Sequence, residues 1–417
     1  MLTHMSTNNK FVWFTLIPRF IRKHLKKNWD SAIFVFLSLT FMLLPTGTAL
    51  PLISVSIAGA LWIFSGGLTS IPGIAKTVWF RPAALFLVLP WLGLIYSQDL
   101  DLGIDYAMKT KYWLLLFVTA GCCLDETRVF VIVKALWIGL FAGALLAAAQ
   151  VVGLVGFIRP DFPGFGIVYT LVGMYLNIGI LMAAFYFKQI ENPWGKLALL
   201  VLIAGFLFHL VVLKGRSSYL IFLLVSPLVA KDLLDKFSWM LKALLCSLLI
   251  ASLCLTPSFK NRIKETCNMI KDNKDKIVKG EFIPVMPRFY FVRESLAAMK
   301  KSPVWGIGTG SLTEFTRYSG SIIVHHPHND FLYMGASYGI IGIIACFWLF
   351  WNMFKISWKA RNTPLGYFVF STCLVMFIGG LFDTQILNTG TLVMIAMTYG
   401  FLHQLTLKLP EEQDMND

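Results

Sequence analysis

The sequence predicts an all-α integral membrane protein of about twelve transmembrane helices, with one large outer loop that contains short helices. Three observations predict it. Hydrophobic residues make up 57% and charged residues 14% of the chain, where globular domains carry about 25% charge. Mean hydropathy is +0.70. Charge-free stretches recur along the sequence, at 31–75, 82–98, 112–124, 135–158, 162–187, 197–213, 217–230, 243–259, 331–354, 362–382 and 384–407. A hydrocarbon core is crossed by about 20 helical residues, and most of these runs are long enough. Such a chain has no fold in water, so the soluble classes are excluded.

The basic stretch Arg22, Lys23, Lys26 and Lys27 precedes the first apolar run without a small-residue cleavage pattern, so the first helix is expected to stay as an anchor. That run is long enough for two crossings, with the Pro51 region as the turn. The runs 112–124 and 217–230 are short, and must either extend into their polar flanks or tilt inside the protein. Cysteines 122, 123, 246, 254, 267, 346 and 373 fall mostly in or beside apolar runs, and no CxxC occurs. They read as small core packers, with no disulfide framework or zinc ribbon.

Positive segments resist translocation. With 19–27 inside, the turns at 66–81, 125–128, 188–196, 231–242 and 355–361 fall on the same side, and all are basic. The opposite turns, 97–110 with Asp99, Asp101 and Asp105, 153–167, and 383–388, are poor in Lys and Arg. Both termini are therefore expected in the cytoplasm. The chain divides into helices 1–9 over 1–256, an outer loop over 257–329, and helices 10–12 with a cytoplasmic tail over 330–417.

The outer loop holds Lys260, Arg262, Lys264, Lys271, Lys274, Lys276, Lys279, Arg288, Arg293, Lys300, Lys301 and Arg317. Loops longer than about 60 residues escape the orientation rule. The excess charge, part of a net +14, suits an anionic substrate or lipid head groups; nothing in the chain asks for nucleic acid. Within it, "PRFYFVRESLAAMKKSP" predicts a helix over 289–301, with Arg288 and Arg293 at its start, where an arginine fork and free backbone N–H groups suit phosphate oxygens. "WGIGTGS" (305–311) reads as a backbone bend; it lacks the GK[ST] of a nucleotide cradle.

Three further features are costly beside a bilayer. Arg216, in "LKGRSSYL", begins a span at the outer level, followed by Ser217, Ser218 and Tyr219, and is a functional candidate; Lys214 reads as an anchor. "HHPHNDF" (325–331) offers His326 and His328 two apart. An imidazole there serves as general base, or, with Asp330 as the nearest third ligand, as a metal ligand. Asn329 is placed to hold a sugar or backbone group and Asp330 to cap the next helix. Asp383, in "GGLFDTQILN", sits at the same level, where it either orients the imidazole or pairs with an arginine.

The order of "GRSSY", a large outer loop with "PRFYFVRESL" and "GIGTGS", and then "HPHNDFL" leading into a span resembles the O-antigen ligase family, within the O-antigen ligase and polymerase superfamily of Gram-negative inner membranes. The resemblance is clearest over 210–350. It implies a metal-independent inverting glycosyltransferase without cofactor, acting on the periplasmic side. The donor would be a glycan on undecaprenyl diphosphate and the acceptor a sugar hydroxyl of the lipid A-core. It places Arg216 and Arg288 on the diphosphate and His328 as base, with Arg293, His326, Asn329, Asp383 and Tyr219 as substrate-binding candidates. Its relatives leave three other readings: O-antigen polymerase, protein O-oligosaccharyltransferase and, in a different class, a transporter or flippase of lipid-linked glycans, which would need no base.

Overall fold

The structure, a computed structural model, describes residues 19–122, 124–213, 215–234, 238, 257–274, 287–318 and 323–408. They are helical throughout, with no strand among the described residues. The expected span at 243–259, apart from its last residues, and the Lys214 anchor lie outside them.

Helix α1 (Arg19–Leu43) and α2 (Ala49–Phe64) pack as a hairpin across a turn at Leu44–Thr46. The turn precedes the expected Pro51, which instead sits in the first turn of α2, where a missing N–H leaves no hydrogen bond unmade. The chain then bends by 79° into Gly67–Ala75, which includes α3 (Ile71–Ala75). Next come α4 (Phe80–Leu92), α5 (Leu100–Met108), a 3-10 turn at Lys109–Leu114 and α6 (Leu115–Ala120). They are followed by α7 (Glu126–Val151), α8 (Tyr169–Gln189), α9 (Pro193–Val212) and α10 (Arg216–Leu233). The 257–329 segment contains α11 (Pro257–Asp272), α12 (Pro287–Lys301) and α13 (Leu312–Tyr318). Helices α14 (Asp330–Lys359), α15 (Pro364–Gly380), α16 (Thr389–Gly400) and α17 (Leu402–Lys408) complete the fold.

Among the described residues five helices are long and apolar enough to cross a membrane: Asn28–Thr46, Glu126–Val151, Tyr169–Gln189, Pro193–Val212 and Asp330–Lys359. The bent pair Ala49–Phe64 and Gly67–Ala75 makes up to six, and Phe80–Leu92 and Pro364–Gly380 are shorter apolar helices. Among the described residues fewer uninterrupted spans stand than the twelve the hydropathy predicts, in part because some apolar runs are divided. The 112–124 run, for example, splits between the 3-10 turn and α6. Short segments of this kind survive at membrane depth only when other helices cover them. All six residues of α6 except Leu115 are buried.

Helix α8 is the axis of the bundle: every residue from Thr170 to Tyr186 is buried. Helices α7, α9, α10 and α15 surround it. Side chains that accept the free N–H groups fix where several helices begin: Asp125 for α7, Asn192 for α9, Asn329 for α14 and Thr363 for α15. Each such cap stabilises by about 1 kcal/mol.

Helix α14 is broken at Gly339 (φ 63°, ψ −151°), a conformation that only glycine adopts at low cost. The break turns the Ala336 and Ser337 carbonyls outward, where they accept from Ile307 N (2.9 Å) and Gly308 N (3.0 Å), while Ile340 N donates to Pro303 O (2.8 Å). The 303–311 segment thus enters the bundle as irregular backbone with its polar groups paired. It also reaches the end of α4, where Thr309 N donates to Gly93 O (3.2 Å) and Thr309 Oγ1 to Pro90 O (2.7 Å). The expected bend is there, with φ of 70°, 97° and 78° at Gly306, Gly308 and Gly310. The N–H groups of residues 306–309 and 311 already donate to carbonyls, so these are not offered to a phosphate.

A Cβ at position 339 would lie 2.4 Å from the Val304 backbone. Clash and strain combined should therefore cost Gly339→Ala more than about 3 kcal/mol. Thermal unfolding of the detergent-solubilised protein measures this, and an unchanged Tm would show that the break is dispensable.

Candidate active site

The turns that the charge rule assigns to the outer side meet at one end of the bundle. Ser97 Oγ donates to Thr309 O (2.7 Å), and Lys109 Nζ to Leu387 O (2.5 Å). Asn329 Nδ2 donates to Leu381 O (2.9 Å), and Asn329 N to Thr384 Oγ1 (3.2 Å). These contacts gather sequence segments more than 200 residues apart around the start of α14.

At their centre, His328 Nδ1 lies 2.8 Å from Asp383 Oδ1. The Asp383 carboxylate also accepts from Thr384 N (2.9 Å). Burial pushes its pKa up, but the bond and charge of His328, the Thr384 N–H and nearby Thr170 together outweigh this and hold it below the usual value. Asp383 therefore stays ionised near neutral pH. Of the two partners weighed for it, imidazole and arginine, the structure supplies the imidazole. With the Nδ1 proton committed to Asp383, the lone pair of a neutral His328 is on Nε2.

His328 is held in an unusual backbone conformation. Its φ of 51° is the only positive value at a non-glycine among the described residues, a strain of about 1–3 kcal/mol. The ring stacks on Phe291, with centroids 5.3 Å apart, and lies 4.4 Å from the His326 ring. Burial first, then the neighbouring His328, lowers the His326 pKa to about 4, so that ring is neutral at pH 7. The adjacent His325 is turned away: its Nδ1 lies 3.2 Å from Thr313 Oγ1.

Two predicted roles change places. Asn329, not Asp330, caps α14, its Oδ1 accepting from Leu332 N (2.9 Å). With its amide donating to Leu381, the Asn329 side chain is committed to the protein. Asp330 is fully buried in the first turn of α14, and its Oδ1 accepts from Ile386 N (3.0 Å). It ties down the turn after Asp383 and does not join the histidines. The third acidic neighbour of the pair is instead Asp383, and His326, His328 and Asp383 present ligand atoms within 4.8 Å of one another.

Both expected arginines begin helices that connect to this centre. Arg288 lies in the first turn of α12, and Phe291, one turn on, stacks against His328. The expected helix is present and starts slightly earlier, at Pro287. Arg216 begins α10, where Ser218 Oγ donates to Tyr169 O (3.1 Å), next to the Thr170 that influences Asp383. Both side chains are exposed. Arg293 is differently placed: it pairs with Glu294 at 2.7 Å and lies over the Tyr290 ring. Tyr219 donates its hydroxyl to Val211 O (2.7 Å), joining α10 to α9.

Lys109 and Tyr106 border the same centre and were not singled out from the sequence. Tyr106 lies edge-on to Tyr333 on α14, and the Lys109 charge is felt by His326. One signal was available: Lys109 is a cation in an outer turn otherwise rich in aspartate.

No curated protein matches the chain. Residues 170–347 do match a family, described as O-antigen ligase. The match runs from the start of α8 through α10 and α12 into α14, and so takes in Thr170, Arg216, Arg288 and His328 but stops short of Asp383. Over residues 170–347 the chain is similar to the O-antigen ligase family.

Proposed function

We propose that this protein is a metal-independent, inverting glycosyltransferase that moves O-antigen polysaccharide from undecaprenyl diphosphate onto a sugar hydroxyl of the lipid A-core. The observation that carries the reading is the 2.8 Å contact between His328 Nδ1 and Asp383 Oδ1. It fixes the ring so that Nε2 can take a proton from the attacking hydroxyl, and the carboxylate then stabilises the imidazolium that forms. The hydroxyl oxygen bonds to the anomeric carbon as the bond to the diphosphate oxygen breaks, and in-line attack inverts the sugar centre.

The leaving diphosphate takes the bonding electrons, so its negative charge grows in the transition state. Guanidinium groups answer that charge with paired N–H donors. Arg216 and Arg288 fill this role in the proposal, since they start two helices beside the His328 centre and both are exposed. Arg293, His326 and Tyr219 line the approach, and Asn329 acts by holding the 381–384 turn in place. No nucleotide is required, because the diphosphate linkage supplies the driving force.

Both substrates are lipids, which fits a site at one end of a membrane bundle. In this reading the 257–329 segment is periplasmic, both termini are cytoplasmic, and twelve spans in the inner membrane frame the site. The purified protein in liposomes, given an undecaprenyl-diphosphate glycan and rough lipopolysaccharide, should join the two. Lengthening of the glycan instead would assign a polymerase, and movement of the unmodified lipid across the bilayer a flippase.

A further inference from the structure

His326, His328 and Asp383 carry more than base chemistry. They present two imidazole nitrogens and one carboxylate oxygen, all within 4.8 Å, the donor set that zinc and its neighbours in the first transition row favour. Their sources are a turn and a second loop, 55 residues apart for His328 and Asp383. Yet the loops are held together by Asn329 and Asp330, so the three groups are positioned before any ion arrives.

A second observation points the same way. The Nδ1 atom of His326 is buried and makes no hydrogen bond among the described residues. A buried polar atom left unpaired costs about 1–3 kcal/mol, and an ion is one of the partners that would account for it.

We infer that His326, His328 and Asp383 form an inhibitory site for a zinc-like divalent cation, whose occupancy and catalysis exclude each other. The inhibition rests on His328 being the base; the binding does not. A cation between His328 Nδ1 and Asp383 Oδ1 takes the place of the proton they share, which moves by way of solvent to Nε2, so the ring stays neutral. Separation of these atoms must grow from 2.8 Å by about half an ångström to suit bonds of roughly 2.0–2.2 Å. The metallated imidazole then carries its proton on Nε2, so it cannot accept a proton from the acceptor hydroxyl.

Cobalt(II) is the probe, because a four-coordinate nitrogen and oxygen site gives it a visible d–d spectrum. The full-length Cys267→Ser protein in detergent is used, since Cys267 is an exposed thiol. One cobalt per chain with that spectrum is expected, displaced by zinc. His326→Ala and Asp383→Asn should each weaken binding by more than the roughly 10–100-fold that losing a supporting partner costs. Size-exclusion behaviour and Tm report whether each variant is folded.

Zinc should inhibit transfer with the same concentration dependence as cobalt displacement, and a chelator should restore it. No stoichiometric binding, or binding that survives both substitutions, would overturn the site while leaving the proposed reaction intact. Binding without inhibition would overturn the exclusion and remove His328 as base. Activity that a chelator abolishes and zinc restores would also overturn it, because the ion would then be a cofactor.

Discussion

Replacing His328 by alanine is expected to lower glycan transfer by about 10²–10⁴-fold, the usual contribution of a positioned general base. The site is arranged around this ring: Asp383 holds one nitrogen at 2.8 Å, Phe291 covers one side, and the backbone is strained to present it. Single-turnover transfer measured with saturating donor and acceptor checks the chemical step. Donor binding should persist, since the arginines proposed for the diphosphate lie on other helices. Alanine has a Cβ and keeps the φ strain, so the folded protein changes in stability mainly because the Asp383 carboxylate loses its imidazole partner. If the variant turned over at the rate of the parent, the hydroxyl would be attacking without this base, and the proposed chemistry would be wrong.

Arg288→Lys is expected to reduce kcat by about 10²-fold, the scale of losing one preorganised donor to developing negative charge. Lysine keeps the charge but not the planar fork that binds two phosphate oxygens together. The neighbouring arginine cannot substitute. Arg293 is already paired with Glu294 within α12, at 2.7 Å. Arg288 lies in the first turn of the same helix, where the free N–H groups add to its effect on an anion. The measurement is kcat and KM for donor in liposomes. Near-normal kcat would assign Arg288 to anchoring the loop.

The parts of this site readable in sequence were those whose cost shows locally. A charge at the edge of an apolar run, such as Arg216 or Asp383, is expensive wherever it is, and so marks itself. The α12 helix was legible from its closing lysines and proline. What the sequence could not give was pairing across distance. Nothing local decides whether Asp383 meets the imidazole or an arginine, or whether Asp330 could serve the histidines as a third metal ligand; in the structure Asp383 meets His328 and Asp330 turns inward to Ile386 N. Likewise the cap fell to Asn329, one residue earlier than expected. Lys109 gave no signal beyond its sign, because its bond to Leu387 O joins positions 278 apart. Hydropathy located the apolar runs but not their division, since it measures affinity for lipid and is blind to burial against protein.

The break at Gly339 sets an order of assembly. The 303–311 segment finds its hydrogen-bonding partners both near residue 93, which is made early, and at residues 336–340, which are made late. A nascent chain that stopped anywhere before α14 would leave this segment without half its partners, and the His328 turn would have no foundation. The proposed catalytic centre would therefore be assembled only with the last quarter of translation.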